Sequence, residues 1–152
     1  MIIAVLGRNG SGKTTFVSKL RHSIFKDKQA YRVIPRDAHI DPEVYFEEIC
    51  GVILNKFRNC LIIFDDLDTF RPYKSANFKN LLINARHLGI DIIFTSRRHV
   101  FIQREAFESS DYIILFNLHP ADLDFFVHFY DPKLINPTKV GEYIVINNKL
   151  QR

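Results

Sequence analysis

Eight consecutive residues constrain this chain more than anything else in it: Gly7-Arg8-Asn9-Gly10-Ser11-Gly12-Lys13-Thr14. An apolar run, residues 1–6, leads into them, and an amphipathic stretch, residues 13–25, leads out. The glycines permit a turn tight enough to point successive backbone N–H groups inward, and a helix opening at Lys13 adds its positive end. The product is a cradle for a β-phosphate, the P-loop pattern G-x-x-x-x-G-K-[ST] met at every position. Lys13 then reaches the β- and γ-phosphates, the Thr14 hydroxyl is placed to ligate Mg²⁺, and Thr15 to touch the α-phosphate. The expected nucleotide-binding residues are therefore Gly7, Arg8, Asn9, Gly10, Ser11, Gly12, Lys13, Thr14 and Thr15, with ATP and Mg²⁺ as cofactors.

The rest of the chain repeats the strand-then-helix theme. Apolar runs recur at 31–34, 60–64, 90–95, 112–116 and 143–146. Those at 1–6, 60–64, 90–95 and 112–116 are almost wholly apolar, as strands covered on both faces are. Between the runs lie helical patterns. Residues 13–25 place Phe16, Val17, Leu20 and Ile24 on one face. Residues 43–57 follow Asp41-Pro42, a cap and first-turn proline, and turn Val44, Ile49, Val52, Ile53 and Phe57 inward. Residues 75–88 carry Phe78, Leu81, Leu82, Ala85 and Leu88 as a stripe and stop at Gly89. Residues 120–130 stop at Asp131-Pro132. Alternation of this kind predicts an α/β domain around a mainly parallel sheet. With no repeat, low-complexity tract or linker, residues 1–152 read as a single domain.

The second chemical signal is Leu61-Ile62-Ile63-Phe64-Asp65-Asp66. A buried strand ending in two acids, downstream of a P-loop, is a Walker B element. Asp65 is the expected Mg²⁺ ligand and Asp66 the base that orients the attacking water; Asp68 reads as a helix cap. Together the two motifs predict an α/β P-loop NTPase fold, RecA/ASCE-like, a three-layer sandwich with a central mainly parallel sheet.

Composition narrows the setting. With 152 residues, 47% hydrophobic and 25% charged, the chain is neither disordered nor a disulfide framework. No apolar run approaches the ~18 residues of a membrane span, so no stable membrane insertion is expected, and residues 1–6 lack the basic lead of a signal peptide. Cys50 and Cys60 sit in apolar runs without metal spacing and are expected as reduced core thiols of a cytoplasmic protein. The six histidines, His39 among them, show no metal-ligand spacing either. The net charge of +4 is uneven: residues 1–37 hold eight Lys/Arg against two acids and residues 71–104 hold seven against one. Two basic blocks suit a phosphate-rich partner or simply solvated helix faces. Within the second block Arg97, Arg98 and Arg104 are nucleic-acid candidates, loop solubilisation being the alternative. Phe125, Phe126 and Phe129 are mainly core residues in pattern but could also build a subunit interface.

A third segment, Asn84-Ala85-Arg86-His87-Leu88-Gly89-Ile90-Asp91-Ile92-Ile93-Phe94-Thr95-Ser96-Arg97, resembles the FtsK–HerA superfamily of P-loop ATPases. The resemblance runs over residues 1–118 and includes the strand beginning near Tyr112. It implies a homo-oligomeric, hexameric ring that moves double-stranded DNA, and is nearest to compact viral genome-packaging or Zot-type ATPases. A capsid or portal component as companion, and the host cytoplasm or virion as location, follow from the same resemblance. It also implies that Arg86 acts in trans on a neighbouring subunit's ATP. The family's sensor is usually Thr-Gln; Thr95-Ser96-Arg97 stands there, which passes the role to Ser96 or Arg97. A small-molecule P-loop kinase and a nucleotide switch are the competing readings. Against the kinase, no arginine-rich lid is present; against a guanine switch, Asn148-Lys149-Leu150-Gln151 lacks the aspartate of a guanine reader.

Overall fold

Strand β1 (Ile2–Leu6) is buried along its whole length and occupies the middle of a six-stranded sheet. This computed structural model describes residues 1–35 and 40–151, the side chains of the last two excepted; His39 lies outside them. The other strands are β2 (Gln29–Val33), β3 (Cys60–Phe64), β4 (Asp91–Ser96), β5 (Tyr112–Leu115) and β6 (Ile144–Asn147), in the order β2-β3-β4-β1-β5-β6. All pairs are parallel except β5–β6. Strand β4 separates the P-loop strand from the acid-bearing β3, as a RecA/ASCE-like sheet requires. The registers Leu6↔Ser96, Leu6↔Leu115 and Phe64↔Phe94 bring the carboxyl ends of four strands to one edge.

Period-two alternation in β1 divides the core. Ile2, Ala4 and Leu6 face a large cluster built with α2 (Pro42–Lys56), α3 (Ala76–Leu88), α4 (Arg104–Glu108) and α5 (Pro120–Phe129), including Phe46, Cys50, Phe78, Leu81, Phe107 and Phe126. Ile3 and Val5 face the opposite cluster with Val17 of α1 (Lys13–His22), Phe25 and Phe116. Helices on both faces make the three layers. Local chemistry sets the helix ends: Asp41 accepts from the Glu43 N–H before Pro42, and Ser75 accepts from the Phe78 N–H. Gly89 closes α3 at φ 67°, where a Cβ would lie 2.2 Å from the Asn59 Oδ1.

Some expected faces need correction. Phe46, Cys50 and Ile53 turn α2 inward, so Val44 and Val52, each about 200° round the helix from a core residue, are 52% and 48% exposed. Helix α1 stops at His22, leaving Ile24 exposed. Phe126 belongs to the core, whereas the exposed Phe129 ring lies under the Arg104 guanidinium, 4.0 Å from centroid. Both cysteines are free and buried, and burial pushes their thiols up. Among the described residues no helix is long and apolar enough to cross a membrane.

Candidate nucleotide site

The loop leaving β1 is held in place from both sides. The Gly7 N–H donates to the Ser96 carbonyl (3.1 Å), the Arg8 N–H to that of Asn117 (2.8 Å), and the Ser11 N–H turns back to that of Arg8 (3.2 Å). Gly7 has no room for a side chain: a Cβ would meet the Ser11 Oγ at 2.6 Å and the Phe116 Cβ at 2.7 Å. Gly12 caps α1 with φ 116°, a conformation L side chains avoid. The first N–H groups of α1 have no intrahelical acceptor and open onto a cleft of ≈ 510 Å³. Asn9, Gly10, Gly12, Lys13, Thr14 and Thr15 line one side of it, Arg32, Asp65, Asp66 and Thr95 the other. Ser11 is buried beneath, and Arg8 is exposed at the loop's shoulder.

Lys13 is nearly buried. Its ammonium donates to the Gly7 carbonyl (2.5 Å) and the Arg8 carbonyl (3.0 Å). Burial lowers its pKa from the usual lysine value; Asp66 and Asp68 pull in the opposite direction, and Arg97 adds to the lowering. The two acids ending β3 have different surroundings. Asp65 forms an ion pair with Arg32 of β2 (Nε–Oδ2 2.9 Å), and burial raises its carboxyl against the pull of Arg32, with Asp66 adding to the rise. Asp66 adopts a left-handed backbone at φ 49° and donates its N–H to the Thr95 Oγ1 (3.0 Å). Its carbonyl accepts from the Thr69 N–H and hydroxyl. A non-glycine residue held this way needs several fixed partners, and Asp66 has them. Mg²⁺ fits the oxygens present: Thr14 and Asp65 offer a hydroxyl and a carboxylate in one cleft, and Mg²⁺ takes few protein ligands beside phosphate and water.

Asp68 and Arg32 belong to this site although sequence reading missed both. The cap of the turn Leu67–Phe70 is Asp66, not Asp68; Asp68 is buried inside the turn, with the Arg97 Nε 3.6 Å away. Burial raises the Asp68 carboxyl, with Arg97 and the Ser96 hydroxyl acting the other way. Its proximity to Asp66 was the only local signal. On β4 it is Thr95 that lines the cleft. Ser96 is fully buried below it, its hydroxyl donating to the Arg98 carbonyl (2.5 Å), which corrects the expectation that Ser96 faces the nucleotide.

Arg86 lies elsewhere. It is exposed in the last turn of α3 and lines a second cleft with Met1, Ile2 and Asp111, at the amino ends of the strands. The edge bearing the P-loop is the opposite one, so Arg86 cannot reach its own chain's cradle. The nucleic-acid candidates also have partners inside the chain. Arg97 faces Asp68, Arg104 pairs with Glu108 (3.1 Å), and Arg98 donates to the Asp122 Oδ2 (2.6 Å). Each guanidinium thus has an acidic neighbour while its side chain stays 40–56% exposed, and only the Arg98 partner is fully buried.

Two expected results arise here. Asp66→Asn keeps the shape but removes the base, so nucleotide binding should persist while turnover falls ~10²-fold or more. Binding titrations beside steady-state rates check this, and wild-type turnover would remove Asp66 from its role. Asp122 tests the Arg98 anchor. Burial would raise its carboxyl, but the His99 ring and N–H and then Arg98 outweigh burial and hold it below the ordinary value. A depressed carboxyl contributes stability above its unfolded pKa, ~3.9, and loses that contribution as pH falls through the folded value. Asp122→Ala should cost about 2–3 kcal/mol at pH 7. Below pH ~4 the gap to wild type should begin to narrow, and it should go on narrowing as pH falls through the depressed folded value. Urea midpoints across that range measure both.

No protein-family description and no curated protein matches this chain. Solved structures do match it. The genome packaging NTPase B204 from Sulfolobus turreted icosahedral virus 2, in complex with ATP-gammaS, aligns at TM-score 0.77 over 99% of this chain and 94% of its own, with 15% identity. EssC (ATPases 2 and 3) from Geobacillus thermodenitrificans aligns at TM-score 0.68 over 96% of this chain and 37% of its own, with 13% identity. The N-terminal domain of zonular occludens toxin from Neisseria meningitidis aligns at 0.56 over 74% of each, with 16% identity. At such identities the likeness is one of fold. The chain has an α/β P-loop NTPase fold like that of these structures.

Proposed function

We propose that this chain is a Mg²⁺-dependent ATPase working as the motor of a homo-oligomeric ring, hexameric by resemblance, that translocates or packages double-stranded DNA without regard to sequence. The observation that carries the reading is the meeting of Lys13, Thr14, Asp65, Asp66 and Thr95 in one cleft at the carboxyl edge of the sheet. A cradled γ-phosphate, an Mg²⁺ ligand and a base beside open solvent suit hydrolysis by water. Likeness along nearly the whole chain to a genome packaging NTPase with ATP-gammaS bound supports ATP as substrate and packaging as the task. The position of Arg86 at the opposite edge supports a ring in which one subunit completes its neighbour's site. Such a motor would act in a host cytoplasm or virion, against a capsid or portal component.

The test is ATP turnover with and without duplex DNA, read together with mass in solution. Turnover stimulated by DNA in an oligomer of the 17.8 kDa chain is the expected result. A strictly monomeric enzyme that transfers phosphate to nucleosides would replace the motor with a small-molecule kinase.

A further inference from the structure

The loops that leave β3 and β4 meet beyond the cleft and are tied together. Gln103 donates to the Pro72 carbonyl (2.9 Å), and Arg97 faces Asp68. Where they meet, Tyr73 and Phe101 are 42% and 44% exposed, with ring centroids 6.0 Å apart. Each ring holds a cation: the Arg71 guanidinium lies 5.1 Å from the Phe101 centroid, and the Lys74 ammonium 5.4 Å from that of Tyr73. Arg71 and Phe101 both have left-handed backbones, φ 49° and 71°, which neither residue type favours. Strain of this kind at an exposed tip points to use. Among the described residues neither cation forms an ion pair. Both cations line a groove with Glu43, Glu47 and Glu48; Glu47 is taken up by the Ser75 hydroxyl and the Asn77 N–H, and Asp68 is turned to Arg97.

We propose that Arg71, Tyr73, Lys74 and Phe101 form the duplex-DNA contact of this motor, a proposal that rests on the translocase reading above. Two cations without an ion pair among the described residues, already ordered against ring faces, meet backbone phosphates at a reduced ordering cost. The exposed rings add apolar surface for sugars, and neither contact reads sequence. The tip is also joined to the chemistry. Asp66 opens the turn Leu67–Phe70 and Arg71 closes it, while Thr69 bonds the Asp66 carbonyl twice. A shift of Asp66 would therefore be passed to the tip. Arg71 and Lys74 differ from Arg97, Arg98 and Arg104, each of which has an acidic partner.

The test uses the full chain and a fluorescein-labelled duplex of mixed sequence, with anisotropy read across a salt series. Arg71→Ala with Lys74→Ala should weaken binding about tenfold or more and make the log affinity–log salt slope shallower by about 2. Basal turnover without DNA and the mass in solution should stay as in wild type. Arg71→Gln with Lys74→Gln, which retains the side-chain stems, repeats the test if the alanine pair folds poorly. Tyr73→Ala with Phe101→Ala should lower DNA-stimulated turnover and leave basal turnover intact. Unchanged affinity and slope would overturn the assignment, and so would loss of the oligomer, which would make the tip a subunit contact. Failure of the wild-type chain to bind duplex at any salt would instead remove the translocase reading itself.

Discussion

Lys13→Ala is expected to abolish hydrolysis, with turnover down about 10³-fold or more. The ammonium is held against the Gly7 and Arg8 carbonyls inside the loop, where it would offset charge developing on a transferred phosphoryl group. A nearly buried ammonium lacks full hydration, and among the described residues two carbonyls and the field of Asp66 and Asp68 hold it. The fold should survive the change, because Lys13 lies in the first turn of α1 and packs into neither apolar cluster. Circular dichroism melts should therefore resemble wild type while phosphate release vanishes. Retained turnover would mean that another group meets the transferred phosphate.

Arg86→Ala should match that loss by a different route. An arginine supplied to a neighbour's transition state is worth ~10³–10⁵ in turnover in other P-loop enzymes. Arg86 is exposed and, among the described residues, makes no ion pair, so alanine should cost little stability. ATP binding should be retained, since the Lys13 cradle lies at the other edge of the sheet. A variant that binds ATP normally and hydrolyses it normally would leave Arg86 as a solvated helix residue.

Much of this was legible in the sequence because the decisive signals are local. The apolar run 60–64 coincides with β3, and Gly89 ends α3 where the C-cap reading placed the stop. The P-loop and the two acids need only a strand on one side to be recognised. What stayed hidden depends on partners far along the chain. Asp68 looks like a cap until Arg97, on the loop after β4, turns out to face it. Arg32 reads as one polar position in an edge strand until β2 pairs with β3 and sets it beside Asp65. The basic cluster was counted correctly, but charge counting does not reveal that Arg98 is anchored by Asp122, in a helix later in the chain. Val44 and Val52 fit a loose apolar period; only the packing of Phe46 and Cys50 decides which stripe of α2 is buried. Helix α4, at five residues, is too short for periodicity to register.

Mixing the Lys13→Ala and Arg86→Ala proteins tests the proposed sharing of a site between subunits most directly. Each alone should be nearly inactive. In mixed rings, some junctions join an intact Lys13 cradle to a neighbour's intact Arg86, so ATP turnover should return in part, scaling with the mixing ratio. If Arg86 served its own chain, or if each chain worked alone, no junction would restore a complete site. Absence of rescue in oligomers shown by mass to contain both variants would contradict the account.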